Sequence, residues 1–322
     1  MSRLFGPYAY AYTSTIMLAA FPQFTSLTLD HKEDYDRLVA EYPPFSDISF
    51  ATLHVWWNLE GKLRLSELNG NMVIDYQLPF DETNSGLSII GKHDLDTSIR
   101  TLFDHLKGEG QSERLVHVPE FVTDEIKDKS QVSLTEELDY NEYILDSQAL
   151  ATLEAAEHGR TRRKVRRFMR EVEERQVEVK ELDVSSEETR QQLIDSIQAW
   201  EQAHPSRNDP GNTEVKALEQ TLTHAGPLGI RHLGLYIDGK LYAVVLYHRS
   251  HDKKYFILHH LKVDYSIPYI FDYMTHHIAG KAVEEGVDFL NMEMDLGIDS
   301  LRHHKMGLRP VTFFRKYTVT PA

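Results

Sequence analysis

Apolar side chains run most densely between residues 229 and 263, where GIRHLGLYI (229–237), LYAVVLYHR (241–249) and KYFILHHLKV (254–263) follow one another closely and Leu241–Tyr247 is unbroken by a charged residue. This patterning, rich in β-branched and aromatic residues, predicts three strands, the first two joined by a hairpin at Asp238-Gly239. Upstream, Ser147 can cap a helix running to about His158. A second helix follows from about Thr161 to Gln176, and VEVKEL (177–182) alternates like a strand. Two helices at about 186–203 and 214–225 are divided by the turn-rich HPSRNDPGN (204–212). Downstream come a helix from about Pro268 to Glu285, a strand FLNMEM (289–294), a short helix near 298–306 and a strand VTFFRKY (311–317). The predicted order is β-α-α-β-β-β-α-β-α-β.

The first half repeats this order less clearly. TSLTL (25–29) reads as a strand, helices fall near 31–41 and 46–57, and KLRLSEL (62–68) and NMVIDYQL (71–78) form a hairpin across Asn69-Gly70. Then come LSII (87–90), a helix near 94–107, LVHV (115–118), a helix near 119–128 and a strand NEYIL (141–145). A length of 322 residues suits two domains, divided between Leu145 and Gln148 into residues 1–145 and 146–322. In the first, Ser46 or Asp47 caps a helix, Trp56 and Trp57 read as packing residues, and no chemistry is assigned. Leu4 to Leu29 carries no charge, but its longest apolar run, Ile16–Phe21, is too short to span a bilayer. A packed N-terminal arm is expected there rather than a cleaved signal peptide. No integral membrane segment is expected anywhere. The chain has no cysteine, which excludes disulfides, thiolate metal sites and a Cys nucleophile and fits a cytoplasmic protein.

Charge changes the picture at one place. The net charge is -15, yet residues 160–170 hold seven Lys/Arg and no acid, so 28 Lys/Arg face 50 Asp/Glu in the remainder, a balance of -22. Such a body repels polyanions, so any contact with one must be local. At 100° per residue, Val165, Phe168, Met169 and Val172 form one apolar stripe, and Arg160, Arg163, Arg166, Arg167 and Arg170 lie opposite. Guanidinium binds phosphate bidentately and keeps its charge, so these arginines are candidate RNA-phosphate ligands. Ion pairs to the acidic remainder are the alternative.

The element order of the second half resembles the GNAT acyltransferase fold, and two such units in tandem resemble the Fem-type peptidyl transferases. YPPFSDISFATLHVWW (42–57), DYNEYIL (139–145) running into the basic helix, and NMEMDLGIDSLRHHKMGLRP (291–310) are similar to the family built on the C-terminal domain of phosphatidylglycerol lysyltransferase. The resemblance implies an α+β protein of two tandem GNAT-like domains, each a mixed, mostly antiparallel sheet flanked by helices. It also implies transfer of an acyl or aminoacyl group, in relatives often from aminoacyl-tRNA to a lipid head group or another amine or hydroxyl. CoA-using GNAT enzymes carry a Gly-rich turn before the helix that follows KYFILHHLKV. Here DYSIPYIFDY (264–273) has no glycine, and Tyr265, Ile267 and Tyr269 would crowd a pyrophosphate. Aminoacyl-tRNA is therefore the expected co-substrate with no further cofactor, acyl-CoA the alternative donor, and a non-catalytic RNA- or phosphate-binding module a third reading.

For chemistry, alternation on FLNMEM puts Asn291 and Glu293 on one face. Attack on an aminoacyl ester needs a base for the acceptor's proton and cations near the oxyanion or the donor's phosphates. Glu293 or Asp295 is the expected base, with Arg302 and Lys305, three apart on the short helix, as the cations. In the bland reading, Asp295 caps the helix and pairs with Arg302. His259 or His260, whichever faces the cleft, is a second candidate for the base. The pairs His259–His260, His276–His277 and His303–His304 diverge on a strand or helix, so no metal site is expected. Tyr265, Tyr269 and Tyr273 at i, i+4, i+8 form an aromatic stripe read as core packing. The acceptor and the oligomeric state are not legible.

Overall fold

A computed structural model describes residues 18–77, 85–203 and 213–322; most of the predicted N-terminal arm and the predicted turn at 204–212 lie outside them. The strands are β1 (Thr25–Ser26), β2 (Arg64–Leu68), β3 (Asn71–Tyr76), β4 (Gly86–Ile90), β5 (Leu115–Pro119), β6 (Val132–Glu136), β7 (Glu142–Asp146), β8 (Val177–Glu181), β9 (Arg231–Ile237), β10 (Lys240–Arg249), β11 (Tyr255–Val263), β12 (Phe289–Asn291), β13 (Thr312–Phe314) and β14 (Lys316–Pro321). They form sheets ordered β1-β2-β3-β4, β13-β7-β12-β11-β10-β9-β8 and β5-β14-β6. Both predicted hairpins close on a residue pair with positive φ: Asn69 and Gly70 at 54° and 81°, Asp238 and Gly239 at 52° and 79°. That conformation matches strand twist, and Asn, Asp and Gly adopt it at least cost.

The helices are α1 (Lys32–Val39), α2 (Phe50–Thr52), α3 (Leu95–Gly108), α4 (Glu120–Thr123), α5 (Ser147–Thr152), α6 (Gly159–Glu171), α7 (Glu187–Ala203), α8 (Thr213–Leu228), α9 (Ile270–Glu284) and α10 (Asp299–Gly307). One face of the seven-stranded sheet packs on α5, α6 and α9 through a core containing Leu150, Val165, Phe168, Val245, Phe256 and Ile278. The other face packs on α7, α8 and the first half through Leu193, Leu218, Leu246, Phe50 and Trp57. The result is an α+β architecture of mostly antiparallel sheets flanked by helices, as the element order predicts.

Several expectations need correction. The strand expected at 311–317 is two, divided at Arg315: β13 pairs with β7, and β14 pairs with β5 and β6. β7 lies between β12 and β13, so a boundary at 145/146 cuts a strand of the large sheet, and the two halves exchange strands. β6 escaped prediction because VSLTE is short and half-exposed. The helix expected at 119–128 is only α4, followed by turns. The helix expected from Ser147 to His158 ends at Thr152, because Leu153 turns left-handed (φ 54°), and its cap is Asp146, which accepts from the Ala149 N–H at 2.7 Å. Residues 46–57 wind as a 3-10 turn, the short α2 and then a π-helical turn, Leu53–Trp57.

Candidate active site

The site arises where the large sheet comes apart. Among the described residues β11 and β12 are its only parallel neighbours, paired at Tyr255↔Phe289, Phe256↔Leu290 and Ile257↔Asn291. Beyond that β11 runs on to Val263 while the other chain turns away. The turn is built locally: the Asn291 side-chain oxygen accepts from the Glu293 N–H at 2.8 Å, and Glu293 is left-handed (φ 55°). The predicted alternation of FLNMEM therefore stops at Asn291. A cavity of about 170 Å³ fills the opening, lined by Leu258, His259 and His260 from β11, Met292, Glu293 and Met294 opposite, and Trp56 from the π-helical turn. π-Turns recur at functional sites, and this one gives the first half a part in the site that its sequence did not suggest.

β11 bulges here, because Leu246 and Tyr247 of β10 pair with His260 and Leu258, leaving His259 as the extra residue. The bulge lets both histidines line the cavity, which strict alternation would forbid. Glu293 and His259 come together: His259 Nδ1 lies 3.1 Å from Glu293 Oε1 and its Nε2 2.7 Å from His248 Nδ1. A carboxylate only accepts, so His259 donates through Nδ1, and in its neutral form it accepts through Nε2 from His248. Burial, helped by His259, Lys32 and His251, holds His248 well below the ordinary histidine range. The sequence reading missed His248, because nothing local marks a histidine in mid-strand.

Asp295 and Arg302 also meet, but on each other. Asp295 is fully buried and accepts from Arg302 at 2.9 and 2.8 Å, from the Gly297 N–H at 2.9 Å and from the Tyr143 hydroxyl. Burial pushes its carboxyl up, yet the hydrogen bonds from Arg302 and Tyr143 hold it below the usual range. Arg302 also reaches Asp139 at 2.5 Å. Asp139 stands where a Cβ on left-handed Gly297 (φ 72°) would come within 2.9 Å of its carboxylate. Asp295 thus pairs with Arg302 as the bland reading has it, but it does not cap α10, whose N-cap is Ile298. Lys305 is buried and donates to the carbonyls of Met292 and Met294 at 2.6 and 2.5 Å, with that of Glu293 at 3.3 Å. Its three N–H bonds are thus spent on the arch that presents Glu293, and burial lowers it to about 8. Neither cation is available to an oxyanion; both position the turn.

Arg160, Arg163, Arg166, Arg167 and Arg170 are all exposed on α6, and none forms an ion pair with a described acid. Lys164 instead pairs with Asp272 at 2.8 Å, and Arg162 donates to the carbonyls of Leu153 and Glu154. The inward face is Thr161, Val165, Phe168 and Val172; Met169, expected there, is half-exposed. Arg167 donates to the Tyr269 hydroxyl at 3.1 Å. The tyrosine stripe does not form, because α9 begins at Ile270: Tyr273 stacks on Phe168 at 4.3 Å, while Tyr265 lines a second cavity of about 920 Å³ beside α7. Lys262 lines both cavities. Among the described residues no three His, Asp or Glu side chains could share a metal ion, and no helix is long and apolar enough to cross a membrane.

A sheet whose one parallel pair splays after three residues, with helices on both faces, is the architecture of the GNAT-like transferases. The sequence matches the family Phosphatidylglycerol lysyltransferase, C-terminal, over residues 46–320, and the chain belongs to that family. Solved structures agree on the fold. A conserved protein of unknown function from Bacteroides thetaiotaomicron VPI-5482 superposes with a TM-score of 0.79 at 21% identity, over 93% of this chain and 99% of that one. The C-terminal domain of a putative lysylphosphatidylglycerol synthetase from Agrobacterium fabrum gives 0.62 at 13% identity over 91% and 92%. FemX gives 0.57 at 10% identity over 93% and 97%. No protein of curated function matches the sequence.

Proposed function

We propose that the protein transfers an aminoacyl group from aminoacyl-tRNA to an amine or hydroxyl acceptor, in the cytoplasm where charged tRNA is found. The observation that carries this reading is the Glu293–His259 pair, set at 3.1 Å in a cavity at the strand split of a lysyltransferase-family fold. Glu293 takes the proton as the acceptor attacks the ester carbonyl. A bond from carbonyl carbon to acceptor forms, the carbon–oxygen bond to the ribose breaks, and the proton ends on the released ribose hydroxyl. His259 and His248 orient the carboxylate and offer the proton a way out, while Lys305, Arg302 and Asp295 hold the turn. Five arginines without acidic partners suit the phosphates of the donor's stem.

A tRNA donor is favoured over acyl-CoA by the first turn of α9. Asp272 sits there, buried and paired with Lys164, so a pyrophosphate at this helix start would meet a carboxylate rather than free amides. A screen of radiolabelled aminoacyl-tRNAs for label transfer to acceptors in lysate tests the proposal; absence of transfer from every charged tRNA would sink it. A thermal shift on adding CoA would favour the acyl-CoA donor. Binding of tRNA without transfer would favour a binding module.

A further inference from the structure

His260 has no part in the proton chain, yet it is 2% exposed, lines the same cavity, and neither of its ring nitrogens has a hydrogen-bond partner among the described residues. A buried polar group left unpaired costs about 1–3 kcal/mol, which marks a position kept for a polar visitor. Trp56 stands beside it, ring centroids 5.0 Å apart, and its indole N–H is likewise unpaired. The rest of the wall is largely apolar: Leu258, Met292, Met294 and Leu296. Burial, reinforced by Lys262, His259 and His232, keeps His260 well below the ordinary histidine range. Its ring is then neutral, with one nitrogen that donates and one that accepts.

Size narrows the visitor. The cavity measures about 170 Å³, close to the ~150 Å³ apolar cavity that holds one benzene, so it admits about six non-hydrogen atoms. Glycyl, alanyl and seryl groups fall within that limit; leucyl, lysyl and phenylalanyl groups exceed it. We propose that this cavity is the aminoacyl subsite of the donor and admits only aminoacyl groups of glycyl to seryl size, with Trp56 setting the size limit and His260 hydrogen-bonding the α-amino group. This rests on the aminoacyl-transfer reading above.

Amino-acid amides probe the subsite without tRNA. Glycinamide, alaninamide and serinamide, titrated by saturation-transfer NMR, are expected to bind at least about tenfold more tightly than leucinamide, lysinamide and phenylalaninamide. Trp56→Ala should bring leucinamide to at least the affinity of alaninamide. His260→Leu should weaken the small amides about three- to tenfold, the worth of one hydrogen bond, with an unchanged circular-dichroism melt. If a variant fails to fold, the ranking of amides on the wild-type protein still decides. Binding of none of them, or large amides binding as tightly as small ones, overturns the proposal, as does wild-type transfer of lysyl, leucyl or phenylalanyl groups from charged tRNA. The predicted ranking without transfer from any charged tRNA would instead remove the transfer reading and leave a small-amine subsite.

Discussion

Two clusters of buried ionisable groups lie against the seven-stranded sheet, and they are built on opposite principles. In one, the Lys316 ammonium, 1% exposed as a side chain, contacts Asp47 and lies 2.9 Å from Glu142. Glu142 also accepts from the Ser46 N–H at 3.0 and 2.8 Å and from Asn291 at 2.5 Å. Burial raises Asp47 to about 6 although Lys316 pulls it down, and the two carboxylates keep Lys316 charged despite its burial. Among these carboxylate oxygens only Asp47 Oδ1 lacks a partner among the described residues, and the cluster lines neither of the two cavities described above. In the other, Glu293, His259 and His248 make a chain with the unpaired His260 next to it, and all but His248 face a cavity. Burial of charge alone therefore does not mark chemistry. Unspent hydrogen bonds beside a cavity do.

The contrast breaks most readily at Lys316. Lys316→Met leaves two buried carboxylates with no cation and should cost about 3–5 kcal/mol of unfolding free energy in a urea titration; a neutral result would mean the closed cluster does not hold the halves together. Glu293→Gln should act the other way round, lowering transfer by at least about 10²-fold, some 2.7 kcal/mol of barrier, at an unchanged melting temperature. Equal loss of stability in both variants would erase the distinction.

Lys305 sharpens it through pH. Its folded value of about 8 lies below its ordinary one, so it contributes stability that is fully present above the unfolded value of ~10.4 and lost as pH falls through about 8. The charge that braces the arch is lost in the opposite direction. Between pH 8 and 10 transfer should fall about tenfold per unit while this group makes the fold more stable, and Lys305→Met should abolish that alkaline limb of the rate profile. The smallest effect belongs to Arg166→Ala, which should reduce the slope of log affinity for tRNA against log salt by about 1, with no change in stability.

Much of this was legible residue by residue. The hairpins at Asn69-Gly70 and Asp238-Gly239 were, because turn chemistry is local, and so was the outward arginine face of α6, because helical angle alone sets it. Glu293 and His259 could be named from the sequence but not joined: their meeting depends on a bulge in β11 and a left-handed residue after β12, neither of which alternation encodes. Asp47 looked like a helix cap and Lys316 like part of a strand, and their contact spans 269 positions. Trp56 was read as packing, since nothing in LHVWW announces a π-turn that aims it at a cavity of the other half.

The position of β14 has a consequence for how the molecule comes into being. It is the middle strand of β5-β14-β6, so its two neighbours, finished nearly two hundred residues earlier in synthesis, have nothing to pair with until residue 321 leaves the ribosome. β7 waits in the same way for β12 and β13. The nascent chain must therefore hold unpaired strand edges while a long stretch of sequence is made, a long exposure to wrong partners. Neither β5 nor β6 can gain its ladder partner before the intervening residues have been made.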